Sequence, residues 1–262
     1  MLAENFLGVP DTNIVLFFAM GLTAAVTTFL GTVTGTAGGL LLLVIMTFFY
    51  PLVVLIPVHT VVQLGAGTSR AFLMWRYVKK TLIVPFSIGS ALGALAGGQI
   101  FVTLPSSVLQ GILGAFILVI MWMPRFAAGG PERTRFGILG FVATFLGVFV
   151  SATGTFLSPF IAHASSDRRI HVSTMAMLMA LSHIAKLVMF GFIGFHVGAY
   201  LPLIGVMVAG AFLGNWAGGH ALDRIPEKTF RIVFRILLTL LALRLLIGSL
   251  IASGWLDNLG LF

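Results

Sequence analysis

The sequence predicts an all-α fold: a polytopic transmembrane helical bundle of two inverted repeats, each a short broken or re-entrant pair plus three helices, about 8 to 10 membrane segments in all. Three observations carry this expectation. Of 262 residues only 15 are Lys/Arg and 7 Asp/Glu, so 8% are charged and 59% hydrophobic, whereas a water-facing globular surface needs about 25% charge. Mean hydropathy is +1.11, and apolar runs recur at lengths suited to a bilayer. Finally, Lys and Arg are gathered in alternate connections between those runs.

Taken in order, residues 14–33 are nearly long enough to span and residues 38–50 are short, with Thr34-Gly35-Thr36-Ala37-Gly38-Gly39 between them. A helix needs about 20 apolar residues to cross the hydrocarbon core, and shorter runs must tilt, break or re-enter. These two therefore read as a broken pair. Fuller helices follow at 59–77, 82–102 and 106–123. A basic linker at 125–135, containing Gly129, Gly130 and Pro131, interrupts the pattern. Residues 136–150 and 154–164 form a second short pair around Ser151-Ala152-Thr153-Gly154-Thr155, and helices at 171–192, 199–222 and 230–252 complete the chain. One short pair and three helices thus occur twice, giving a first unit at 1–124, the linker, and a second unit at 136–262.

Residue identities support the duplication. Thr28-Phe29-Leu30-Gly31 recurs as Thr144-Phe145-Leu146-Gly147, and residues 89–98 recur as 210–219 with six of ten positions identical. Both decapeptides carry Gly every fourth residue, which stacks glycines on one helix face for close packing. Twelve basic residues lie in or beside four segments: Arg76, Lys79 and Lys80; Arg125, Arg133 and Arg135; Arg168 and Arg169; Arg224, Lys228, Arg231 and Arg235. The positive-inside rule makes these cytoplasmic. Residues 1–12, 51–58, 103–105, 193–198 and 253–262 contain no Lys or Arg and are expected outside, with both termini. The second unit then runs opposite to the first. Glu4 and Asp11, but no basic residue, precede the first apolar run, so that run is expected to be retained rather than cleaved as a signal.

Several chemistries are disfavoured. With no Cys, disulfides and thiol chemistry are absent. The histidines His59, His163, His171, His183, His196 and His220 show no ligand spacing, and no Walker A sequence occurs. No metal, cofactor or nucleic-acid partner is expected. Ser69, Ser182 and His183 form no recognisable catalytic dyad, so the chain does not read as an enzyme.

All seven acidic residues lie at ends or in loops, but Arg70, Lys186 and Arg244 fall within spans. A charge at the centre of a membrane helix costs about 2.5–3.5 kcal/mol on insertion scales and is normally paired or functional. Without a carboxylate in the spans, a substrate anion is the natural counter-ion for Arg70 and Lys186. Bonding to carbonyls or snorkelling is the structural alternative, favoured for Arg244 near the outer end. Thr60, Gln63, Gly67 and Arg70 share one helix face, as do Ser182, His183 and Lys186. The breaks add Gly35, Thr36, Gly38 and Gly39, with Ser151, Thr153, Gly154 and Thr155, whose backbone N–H groups begin half-helices where an anion is welcome; the same glycines would also permit tight packing. His183 is the one histidine placed to be proton-linked, and the others read as interfacial or hydrogen-bonded.

These motifs, in this order, resemble the TauE/SafE permease family: Thr34 to Gly39, Gln63-Leu-Gly-Ala-Gly-Thr-Ser69-Arg70, Gly93 to Gly98, and the reprise Thr153-Gly154-Thr155. The resemblance covers nearly the whole chain. It implies a multi-pass carrier in a bacterial or archaeal inner membrane, associated with export of sulfite, sulfoacetate or another organosulfur anion. The second break reads Ser-Ala-Thr-Gly-Thr where the first reads Gly-Thr-Ala-Gly-Gly, so the half-sites need not contribute equally. An anion channel and a non-transporting scaffold subunit are the competing readings. Expected partners are the small sulfur oxyanion and the lipid bilayer, with a homo-oligomer left open.

Overall fold

The computed structural model describes residues 5–34, 38–73, 75–122, 130–151, 153–164, 167–195, 197–221 and 227–253. Among them the regular structure is entirely helical: α1 (Ile14–Thr34), α2 (Gly38–Met46), α3 (Leu52–Leu73), α4 (Ile83–Phe101), α5 (Ser106–Trp122), α6 (Glu132–Val150), α7 (Gly154–Ala164), α8 (Arg168–Phe192), α9 (Leu201–Ala221) and α10 (Glu227–Ala252), with short 3₁₀ turns between some of them. Five stretches are long and apolar enough to cross a membrane, at Ile14–Thr32, Lys80–Phe101, Glu132–Val150, Arg169–Phe192 and Val197–Gly218. At 1.5 Å per residue, the 9 residues of α2 and 11 of α7 reach only about half of a 30 Å hydrocarbon core. The expected short pairs are therefore each one long helix and one half-helix.

Among helix starts, those of the third and sixth helices depart furthest from expectation. The third helix begins at Leu52, with Pro57 inside it, so most of the segment read as an outer loop is helical. Pro57 lies just past the first turn of α3 and gives up the one intrahelical N–H bond that would reach the Val53 carbonyl. The sixth helix begins at Glu132, four residues before the apolar run, behind Pro131. Glu132 favours the positive end of the helix, and it pairs with Lys79 at 2.5 Å.

The glycine stripes fix how the helices meet. Helix α4 packs along α6, and α9 along α1. A Cβ at Gly89 or Gly93 would collide with the carbonyl oxygens of Gly137 and Phe141, and one at Gly210 or Gly214 with those of Gly21 and Ala25. Gly97 meets the Phe145 carbonyl and Gly218 that of Phe29. The two interfaces run in the same register, because Gly21, Ala25 and Phe29 stand to α9 as Gly137, Phe141 and Phe145 stand to α4. Helix α3 packs on α8 and α5 on α10, pairs that an exchange of the two units expected from sequence would map onto themselves. Outward faces remain apolar, as at Ile88, Leu92 and Leu95 on α4 and Phe212, Leu213 and Trp216 on α9.

The molecule is two-sided. Thr12 and Tyr50 share a 2.8 Å hydrogen bond, Phe195 stacks with Tyr200, and Arg244 lies 3.7 Å over the Phe48 ring, all at the end poor in basic residues. Burial raises the Tyr50 phenol above its ordinary range, opposed by the Thr12 hydrogen bond. At the other end Lys79 reaches both Glu132 and the Ala164 carbonyl, Arg169 bonds the Tyr77 hydroxyl, and Arg235 sits over Trp122.

Candidate functional site

A cavity of about 280 Å³ lies where the two half-helices begin. Gly38, Gly39 and Leu40 open α2 on one side, and Ser151 and Gly154 flank the start of α7 on another. Helix α3 contributes Gln63, Leu64, Ala66 and Gly67; α8 contributes His171, Met175, Met179 and His183; α1 adds Thr28 and Thr32, and α9 adds Asn215. Residues from both predicted units therefore line one space. Its volume falls at the small end of ligand sites, a size suited to a small polar solute.

The half-helix starts leave donors available. The first N–H groups of a helix have no intrahelical partner, and the bonds at the α7 start begin only with Phe156 and Leu157 donating to the Thr153 carbonyl. Thr153 occupies the position from which a threonine normally caps, yet its fully buried Oγ1 has no hydrogen-bond partner among the described residues. The same holds for Nδ1 of His183, 3% exposed in the cavity wall. A buried polar atom without a partner costs about 1–3 kcal/mol, and both lie close to the cavity, His183 in its lining and Thr153 behind it. Gly39 is small because the Gln63 carboxamide lies against it, and any Cβ there would strike Gln63 Nε2.

Behind this wall lies a polar network. His59 on α3 bonds the Gly39 carbonyl through Nε2 at 2.8 Å and the Ser151 hydroxyl through Nδ1 at 3.0 Å. Thr60 bonds Ser151 Oγ at 2.8 Å and the Ile56 carbonyl at 2.8 Å. Ser151 is held at φ +58°, a left-handed conformation that is uncommon outside glycine. Its carbonyl accepts from Lys186 Nζ at 3.4 Å, and Lys186 is fully buried. No carboxylate partner for Lys186 occurs among the described residues. The ammonium stands one residue behind the lining, beside Gly147 and the Thr153 methyl.

Of the residues singled out from the sequence, Gly38, Gly39, Gln63, Gly154 and His183 converge on the cavity, with Lys186 and Thr153 immediately behind it. Ser182 faces elsewhere, its hydroxyl accepting from Thr144 at 2.9 Å. Gly35 and Thr36 lie outside the described residues, as do the side chains of Arg70 and Thr155. Sequence reasoning placed Ser151 in the second break but did not assign His59 or Asn215 to the site. His59, Gln63 and Gly67 recur every four residues, a stripe that could have included the histidine. Asn215 replaces the Ala94 of the first glycine decapeptide, and that departure from the repeat was its signal; its Oδ1 accepts from Thr32 at 2.7 Å.

Compared with known proteins, residues 20–245 match the family described as sulfite exporter TauE/SafE. No curated protein and no solved structure matches the chain.

Proposed function

Because the chain belongs to the TauE/SafE sulfite exporter family, a family of membrane transporters, we propose that it is a secondary carrier that exports a small sulfur-containing oxyanion such as sulfite or sulfoacetate. The supporting observation is the cavity where the starts of α2 and α7 meet, backed by the fully buried Lys186. The N–H groups and positive dipole ends of two half-helices favour an anion, and half-helices facing a shared site are a recurring transporter design. N–H groups at the starts of α2 and α7 donate to the anion's oxygens, and His183, Gln63 and Asn215 bound the space around it. Lys186 supplies the long-range charge. Arg70, three residues beyond Gly67 on α3, provides the corresponding cation from the first unit.

Alternating access follows from two inverted units at 1–124 and 136–262. The matched registers of α4 on α6 and α9 on α1 support such units, each lending a helix to the other's first helix. Rocking of these pairs about the α3–α8 contact would expose the cavity first to the cytoplasmic basic end and then to the outer end.

The test is flux in proteoliposomes of sulfite, sulfoacetate, thiosulfate and sulfate, for wild type, Arg70→Ala and Lys186→Ala. Saturable, trans-stimulated flux of a sulfur oxyanion is expected for wild type, reduced about tenfold or more in each variant, equivalent to about 1.4 kcal/mol. Unsaturable flux without exchange would indicate a channel, and unchanged affinity in both folded variants would remove the site.

A further inference from the structure

The buried network around His59 contains one hydrogen too few. Its four contacts run from the Gly39 carbonyl to His59 Nε2, from Nδ1 to Ser151 Oγ, from Ser151 Oγ to Thr60 Oγ1, and from Thr60 Oγ1 to the Ile56 carbonyl. Each end is an amide carbonyl, which only accepts. A neutral imidazole, one serine hydroxyl and one threonine hydroxyl bring three hydrogens to four contacts. With Nε2 necessarily donating to Gly39, Nδ1 must accept from Ser151, and Thr60 can then serve either Ser151 or Ile56 but not both. An imidazolium brings the fourth hydrogen: Nδ1 donates to Ser151, Ser151 to Thr60, and Thr60 to Ile56. His59, Thr60 and Ser151 are all fully buried, where an incomplete network is costly.

We propose that His59 is a proton-binding site filled together with the transported anion, so that each anion crosses with a proton. The inference rests on the anion-carrier reading of the adjoining cavity. His59 bonds the start of α2 through Gly39 and the entry to α7 through Ser151, so it senses both half-helices that bound the anion. The proton adds to the Nδ1 lone pair, the two hydroxyls reverse direction, and no other bond forms or breaks. An entering anion supplies the countercharge that a second buried cation beside Lys186 requires.

The groups around His59 are few. On α8 they are His183 and Lys186, the two that interact electrostatically within this site. Helices α2 and α5 carry no ionisable residue, and α6 carries Glu132, Arg133 and Arg135 only in its first turn. Helix α9 ends in His220, the turn before it contains Tyr200, and α3 itself carries Arg70 eleven residues on.

The experiment is calorimetric titration of the purified full-length protein with sulfoacetate, whose charge is constant between about pH 6 and 8, in buffers of differing ionisation enthalpy. Wild type is expected to take up about one proton per anion and to bind more tightly as pH falls, since linkage is reciprocal. His59→Gln cannot hold the extra proton. Thr60→Val leaves two contacts that a neutral His59 and Ser151 complete by themselves. Both variants should bind with proton uptake near zero, and Thr60→Val decides the matter if His59→Gln does not fold. Binding by wild type without proton uptake, or wild-type stoichiometry in a folded variant, overturns the proton site while leaving the carrier reading intact. Failure of wild type to bind sulfoacetate contradicts the anion site itself and takes the proton site with it.

Discussion

Lys186 shows how one residue can be legible in sequence while its surroundings are not. A lysine in an apolar run with no carboxylate in any span identifies itself by its cost. Its acceptor, the Ser151 carbonyl 3.4 Å away, could not be read, because it depends on Ser151 adopting φ +58°, a conformation that sequence does not assign to serine. His59 was hidden for a related reason: both its partners lie on other elements, at Gly39 and Ser151. Removing an ammonium that lacks a carboxylate among its described neighbours relieves a buried charge. Lys186→Met should therefore match or exceed the thermal midpoint of wild type in detergent without ligand. Sulfite at 100 times the wild-type Kd should stabilise wild type by about 2.7 kcal/mol and the variant by about 1.4 kcal/mol or less. Thermal scans with and without sulfite measure both.

At the scale of elements, the existence and order of all ten helices followed from apolar run length, and the half-length of α2 and α7 from the Gly/Thr breaks. Boundaries were less legible where a polar residue belongs to the helix. Glu132, read from sequence as linker, opens α6 and meets Lys79, 53 positions earlier. The glycine stripes gave the packing faces but not their partners, since a Gly-x-x-x-Gly spacing says only that something comes close. The partners are backbone carbonyls on α6 and α1, which cannot move aside. Gly93→Leu and Gly214→Leu should each abolish folded protein or lower stability by more than the typical 1–3 kcal/mol of overpacking. Gly205→Ala, with nothing within 4 Å of the added carbon, should cost almost nothing. Yield and thermal midpoint in detergent distinguish the three.

For the whole molecule, the sparse charges foretold the two-sidedness. Segments without Lys or Arg meet at one end, through Thr12 with Tyr50, and basic segments meet at the other, through Lys79, Arg169 and Arg235. What sequence could not supply was the helix pairing, in which α4 lies on α6 and α9 on α1, because nothing local specifies that Gly89 meets Gly137 or Gly210 meets Gly21 in a near-uniform apolar background. That pairing brings Gly39, Gln63, Gly154 and His183 to one cavity. The central claim is that this cavity holds the anion. Selenite, the heavier pyramidal congener of sulfite, reports its own position by anomalous diffraction from soaked crystals. The account predicts a peak between the starts of α2 and α7, against Gly39, Gly154 and His183, and lost in Lys186→Met crystals. A peak confined to the basic end near Lys79 and Arg169, with the cavity vacant at saturating selenite, would contradict it.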